Sequence, residues 1–102
     1  MNRKIHKIGN TYRYEICDED LVLGRHYIDL AEDGFFLVSE ICFDADEYVR
    51  DVDVFGTYFF RGEKKEEVLY IRLGKDIPVK DILSGKYTAG EVLQLPWDEY
   101  SL

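Results

Sequence analysis

Phe35-Phe36-Leu37-Val38-Ser39-Glu40-Ile41-Cys42-Phe43 is the stretch on which the fold turns. Its aromatic and β-branched residues fit a pleated, half-buried surface better than a helix. Apolar side chains fall on both alternating faces, and an edge strand with one face in water does not tolerate that. The run therefore reads as an interior strand of a sheet.

Working outward toward the N-terminus, Ala31-Glu32-Asp33-Gly34 is a turn signal, with Gly34 expected to supply a positive φ that closes a hairpin. Leu21 to Leu30 is the partner strand, and Gly24 within it is a candidate bulge. Asp18-Glu19-Asp20 is a polar break. Before it, Tyr12, Tyr14 and Ile16 alternate with Arg13 and Glu15, the period of a strand with one wet face.

Toward the C-terminus, residues 44–53 are open to two readings. Asp44-Ala45-Asp46-Glu47 offers carboxylates that suit a helix N-terminus, whereas Val49, Val52, Val54 and Phe55 lean toward strand. Gly56 then opens a hairpin: Thr57 to Arg61 out, residues 62–67 as the loop, Val68 to Leu73 back. In the returning strand Val68, Tyr70 and Arg72 point one way and Leu69, Ile71 and Leu73 the other. The last third changes character. Asp76 is placed to cap a helix with Pro78 in its first turn, where a missing N–H is harmless. Val79, Ile82 and Leu83 form its apolar face, and Gly85 ends it. Thr88-Ala89-Gly90-Glu91 fits a capping box, in which hydroxyl and carboxylate each satisfy a free backbone amide. Pro96 stops that second helix, and Trp97 and Tyr100 in the tail are set to fold back on the core. The fold class expected is α+β and β-rich: one domain over residues 1–102, an antiparallel sheet of about five strands, and one or two short C-terminal helices.

Composition agrees with a folding chain. Of the 102 residues 46% are apolar and 15% aromatic, far richer than chains that stay disordered for want of apolar surface to bury. No apolar run has the length needed to cross a bilayer, and the charged start is no signal peptide, so a cytoplasmic location is expected. Cys17 and Cys42 each follow an isoleucine in an apolar run, which points to two buried, reduced thiols rather than a disulfide.

Signatures of chemistry are weak. His6, His26, Cys17 and Cys42 lack the close pairing of zinc ligands. Asp44-Ala45-Asp46 begins like a calcium loop, but Tyr48 stands at a ligand position and Val49 where the turn requires glycine. Ser39, Ser84 and Ser101 sit in no nucleophile elbow, and the glycines fit no phosphate loop. Neither catalysis nor a cofactor is expected.

What rises above background is charge layout. The formal charge is −8, and residues 14–59 hold thirteen acids against only Arg25 and Arg50. Asp44, Asp46, Glu47, Asp51 and Asp53 fall within ten residues. On a strand Asp51 and Asp53 would point the same way, about 6.7 Å apart, close to two axial steps of a DNA strand at roughly 6.8 Å. Tyr48 stands beside them as an aromatic anchor. Such a surface repels free nucleic acid and anionic membranes and attracts basic proteins. The function expected is a non-enzymatic acidic binding protein that occupies the basic groove of a nucleic-acid-binding enzyme through Asp44, Asp46, Glu47, Tyr48, Asp51 and Asp53. Phage-encoded inhibitors of host defence nucleases, anti-CRISPR proteins among them, are similar in size and charge. The alternative is an adaptor, an immunity-type protein or an accessory subunit of a larger assembly.

Overall fold

The computed structural model describes residues 5–16, 27–31 and 34–102. The elements run in chain order β1 (Ile5–Ile8), β2 (Thr11–Glu15), β3 (Tyr27–Ala31), β4 (Gly34–Asp44), β5 (Tyr48–Phe60), β6 (Glu63–Pro78), α1 (Val79–Leu83), α2 (Ala89–Leu93) and β7 (Trp97–Ser101). Among the described residues every strand pairing is antiparallel. The strands lie in the order β1-β2-β4-β5-β6-β7, and β3 pairs β4 off this path. The β-rich α+β class holds, with more strands than the five expected. The additions are β1, whose short Ile5–Ile8 segment alternates too little to read, and β7, formed by the aromatic tail.

The decisive stretch is interior. β4 pairs β2 through residues 40–44 and β3 through residues 34–37 along one edge, and β5 along the other. Part of its two-sided apolarity has a local cause, while Phe35 and Leu37 stay on the opposite face. The pairing with β5 slips by one residue between Val38 and Glu40, a bulge that resets the alternation. Phe36 and Val38 before Ser39, and Ile41 and Phe43 after it, thereby share one buried face. The Ser39 hydroxyl donates to the Phe55 carbonyl at 2.8 Å and holds the bulge. At Gly34, φ is not positive; what the site demands is room, because a Cβ there would lie 2.9 Å from the Tyr58 hydroxyl.

Residues 44–53 resolve as a bend and a strand, not a helix start. The chain turns at 45–47, where the Asp46 carboxylate accepts the Glu47 amide at 2.8 Å. β5 then continues without interruption to Phe60. Gly56 does not open a hairpin. It lies inside β5 and is buried, because its Cα passes against the Leu37 carbonyl and the Phe36 ring, leaving no space for a Cβ. The hairpin is also tighter than the six-residue loop expected: Arg61 and Gly62 alone form the turn, with φ of 53° and 83°. Two left-handed residues in succession match the twist of the flanking strands.

Both helices cover one face of the sheet. Val79 and Ile82 of α1 and Ala89 and Val92 of α2 join Tyr14, Phe36, Ile41, Phe43, Val52, Val54, Leu69 and Ile71 in a single buried cluster. Leu69, Ile71 and Leu73 are at most 2% exposed, whereas Tyr70 between them is 51% exposed, as their alternation requires. Each such buried aliphatic side chain contributes roughly 1.5–3 kcal/mol relative to leaving it in water.

The first helix departs from expectation at its start. Pro78 itself occupies the N-cap without a side-chain cap bond, and Asp76 instead pairs with Arg50 at 2.6 Å. The reason lies in the strands: between the pairs Asp51–Arg72 and Val49–Ile77, five steps of β6 answer two steps of β5. The excess bows outward and presents Asp76 to Arg50. Leu83, expected on the buried face, is 40% exposed. The end is as expected: Gly85 at φ 91° donates to the Ile82 carbonyl and Lys86 to that of Asp81, the double bond of a left-handed C-terminal cap. In α2 the capping box is complete, with the Glu91 amide donating to the Thr88 hydroxyl at 3.1 Å and the Thr88 amide to the Glu91 carboxylate at 2.9 Å. Trp97 returns to the core and donates its indole N–H to the Leu93 carbonyl at 3.1 Å. Tyr100 packs edge-on against the Trp97 ring and stays 44% exposed.

Candidate acidic face of the sheet

The helices occupy the inner face, so the alternate residues of the same strands form an outer face. The register fixes its rows. One row runs His6, Arg13, Cys42, Asp53, Tyr70, Ser101 across six strands. The next brings Asp51 beside Arg72 and Arg72 beside Glu99. Asp51, Asp53, Tyr70, Arg72, Glu99 and Ser101 line one shallow groove. Asp44, at the end of β4, acts on Asp53 electrostatically.

Charges here are partly matched. Arg72 Nε lies 3.2 Å from an Asp51 carboxylate oxygen, and Arg13 Nε donates to Glu40 at 2.7 Å, a diagonal pair across Cys42. Among the described residues neither Asp44 nor Asp53 has a basic partner. Burial, and then the like charges of Asp44 and Asp51, hold the Asp53 carboxyl above the usual carboxylate range. Arg72 offsets Asp51 alone, and the environment opposes ionisation of Asp53.

Cys42 is a free, buried thiol. It lies on the outer face but beneath the Arg13–Glu40 pair, and its Sγ contacts the Glu40 carboxylate at 3.7 Å. Burial first and the Glu40 charge second push the thiol up to about 11, against the opposing pull of Arg13. A thiol so held is a poor nucleophile at neutral pH. Cys17, expected to share its state, lies outside the described residues, as do His26 and the candidate bulge Gly24. Among the described residues no three His, Cys, Asp or Glu side chains are grouped as metal ligands, and no helix is long and apolar enough to cross a membrane.

The six residues singled out from sequence divide between two places. Asp44, Asp51 and Asp53 come together on the outer face. Asp46, Glu47 and Tyr48 line a separate depression with Pro78, Val79, Lys80 and Leu83 at the start of α1. The division arises at the bend, where the chain leaves β4 before β5 begins. Sequence reading missed Tyr70, Arg72, Glu99 and Ser101, which reach the acids only through strand register. No family model matches the chain, and neither a curated protein nor a solved structure matches it.

Proposed function

We propose that this protein is a non-enzymatic binding protein whose outer sheet face takes a basic protein partner, such as the phosphate-binding groove of a nucleic-acid-binding enzyme. The observation that carries this reading is the convergence of Asp44, Asp51 and Asp53 from two strands, with Asp44 and Asp53 lacking basic partners among the described residues. Alternate residues of β5 place Asp51 and Asp53 about 6.7 Å apart on one face, a spacing that suits side chains built to receive successive phosphates. The raised Asp53 carboxyl supports it as well, because a neighbouring cation would relieve the like-charge repulsion there. Arg72 grades the contacts: its pairing with the exposed Asp51 makes Asp53 and Asp44 the stronger ones and Asp51 the weaker third.

The test is capture from native lysate with the wild-type chain and with an Asp51→Lys, Asp53→Lys double variant, at low and high salt. Basic proteins retained by the wild type at low salt, released at high salt and absent from the variant support the proposal. An identical set retained by both proteins at both salt concentrations overturns it.

A further inference from the structure

The acids occupy only part of the outer face. Continuing along β5, the outward positions after Asp51 and Asp53 are Phe55, Thr57 and Phe59. Their neighbours extend an apolar area across three strands. Val68 of β6 stands beside Phe55, Leu37 of β4 beside Thr57, and Phe35 beside Phe59 with the rings stacked at 4.8 Å and 14°. All six side chains are half-buried, whereas their inner-face counterparts Phe36, Val54 and Leu69 are completely buried under the helices. Single apolar residues on a surface need no explanation, whereas a contiguous apolar patch rimmed by charge, here Lys64 beside Phe59 and Glu66 beside Thr57, is the form that protein interaction sites take.

We propose that the outer face is a two-part docking surface for one segment of a basic protein, in which basic side chains meet Asp44, Asp51 and Asp53 and an apolar side chain is buried on Leu37, Phe55 and Phe59. The proposal rests on the acidic-face reading above and specifies its partner. Charge complementarity selects that occupant. The acids repel phosphate backbones and anionic lipid headgroups, so the aromatic area is not a base-stacking platform or a membrane contact. A basic segment meets no such barrier. Aromatic anchors flanked by charge are where binding energy concentrates in protein interfaces. Spacing sharpens the match: Asp53 and Thr57, at the middle of each part, are four strand steps apart, about 14 Å. The partner's basic residues and apolar anchor should therefore lie about four extended residues or about nine helical residues apart.

The experiment uses two synthetic probes, an oligo-arginine peptide and the same peptide with a phenylalanine four residues beyond its basic run. Binding of each is titrated against the wild type, Phe59→Ser and Thr57→Lys at low salt. The second variant places a charge inside the apolar area at a half-buried polar position and guards against misfolding of the first; thermal melts verify both. The anchored peptide is expected to bind the wild type about tenfold more tightly than the plain one, the gain from burying one aromatic side chain. Folded Phe59→Ser should erase that advantage while leaving plain-peptide affinity within about twofold. Thr57→Lys should erase it as well, judged on that variant as the ratio of anchored to plain peptide, because its added charge reaches the acids at low salt and weakens both peptides alike. Equal binding of the two peptides by the wild type, or an advantage that survives both variants, overturns the two-part surface. Failure of the plain peptide to bind in a salt-dependent way instead overturns the acidic-face reading on which it stands.

Discussion

The two faces of this sheet are built from the same strands and obey different rules. On the inner face Leu69, Ile71, Val52 and Val54 alternate into a hydrophobic cluster closed by α1 and α2. On the outer face the intervening residues are Tyr70, Arg72, Asp51 and Asp53, and the charges of Asp53, Asp44 and Asp51 oppose one another. Apolar burial is favourable wherever it occurs; a half-buried carboxylate beside two others is not. The comparison therefore separates residues that hold the fold from residues that the fold tolerates.

The largest expected effect lies inside. Leu69 is 0% exposed in the middle of the cluster, so Leu69→Ala should lower unfolding free energy by about 2–5 kcal/mol through lost burial and a residual cavity. Urea denaturation measures this. A loss below about 1 kcal/mol would mean that the inner face is not packed as described. Thr88→Ala removes one half of the capping box of α2 and should cost about 1 kcal/mol. An unchanged midpoint would detach α2 from the stability of the inner face.

The outer face should answer in the opposite direction. The Asp53 carboxyl is held above its unfolded value, so the folded chain binds a proton more readily than the unfolded one. Stability tied to this group is therefore lost as pH rises from the unfolded carboxylate range through the folded one. Asp53→Asn should be more stable than the wild type at neutral pH. That gain should vanish once the pH falls below the ordinary carboxylate range and both proteins are neutral there. Urea midpoints across pH test the sign, and a variant less stable at neutral pH would place a favourable contact at Asp53. A smaller effect is expected at Cys42, measured with Cys17→Ser so that one thiol reports. With the thiol raised to about 11, native labelling near neutral pH should be at least tenfold slower than in denaturant. Equal rates would show that the Arg13–Glu40 pair does not cover it.

Local chemistry was legible where it is decided locally. The Thr88-Ala89-Gly90-Glu91 capping box, the Gly85 terminus and the alternation of residues 68–73 depend on neighbours within a few positions, and all stand as read. Register was not legible, because it hangs on the hairpin turn. With Arg61 and Gly62 recognised as the whole turn, counting outward from Phe60 and Glu63 pairs Asp53 with Tyr70 and Asp51 with Arg72. With residues 62–67 taken as a loop, those pairs disappear. Arg61 hid the turn: a non-glycine residue at positive φ is uncommon, and this one carries its guanidinium 4.9 Å over the Phe60 ring. Gly56 misled for the converse reason. Glycine signals a turn in sequence, while here it answers a close backbone approach from β4 that only the folded chain contains. The acidic stretch 44–53 was visible as composition, but the bend at 45–47 that parts Asp46, Glu47 and Tyr48 from the outer face was not.

The central claim is that the outer acids serve binding while the inner face serves stability, and one paired measurement bears on it most directly. The Asp51→Lys, Asp53→Lys double variant and the wild type are compared in urea denaturation and in association kinetics with an oligo-arginine peptide, at low and high salt. Asp51 is exposed, so losing its pair with Arg72 costs little, and replacing Asp53 relieves like-charge repulsion, so the variant should lose no more than about 1 kcal/mol of stability. Association should be at least tenfold slower for the variant at low salt, because reversal adds repulsion to lost steering. The two proteins should converge as screening shortens the reach of charge from about 10 Å at 0.1 M salt to about 3 Å at 1 M. Association of the peptide with both proteins at the same rate, or slowing that appears only alongside unfolding, would contradict the division of labour between the two faces.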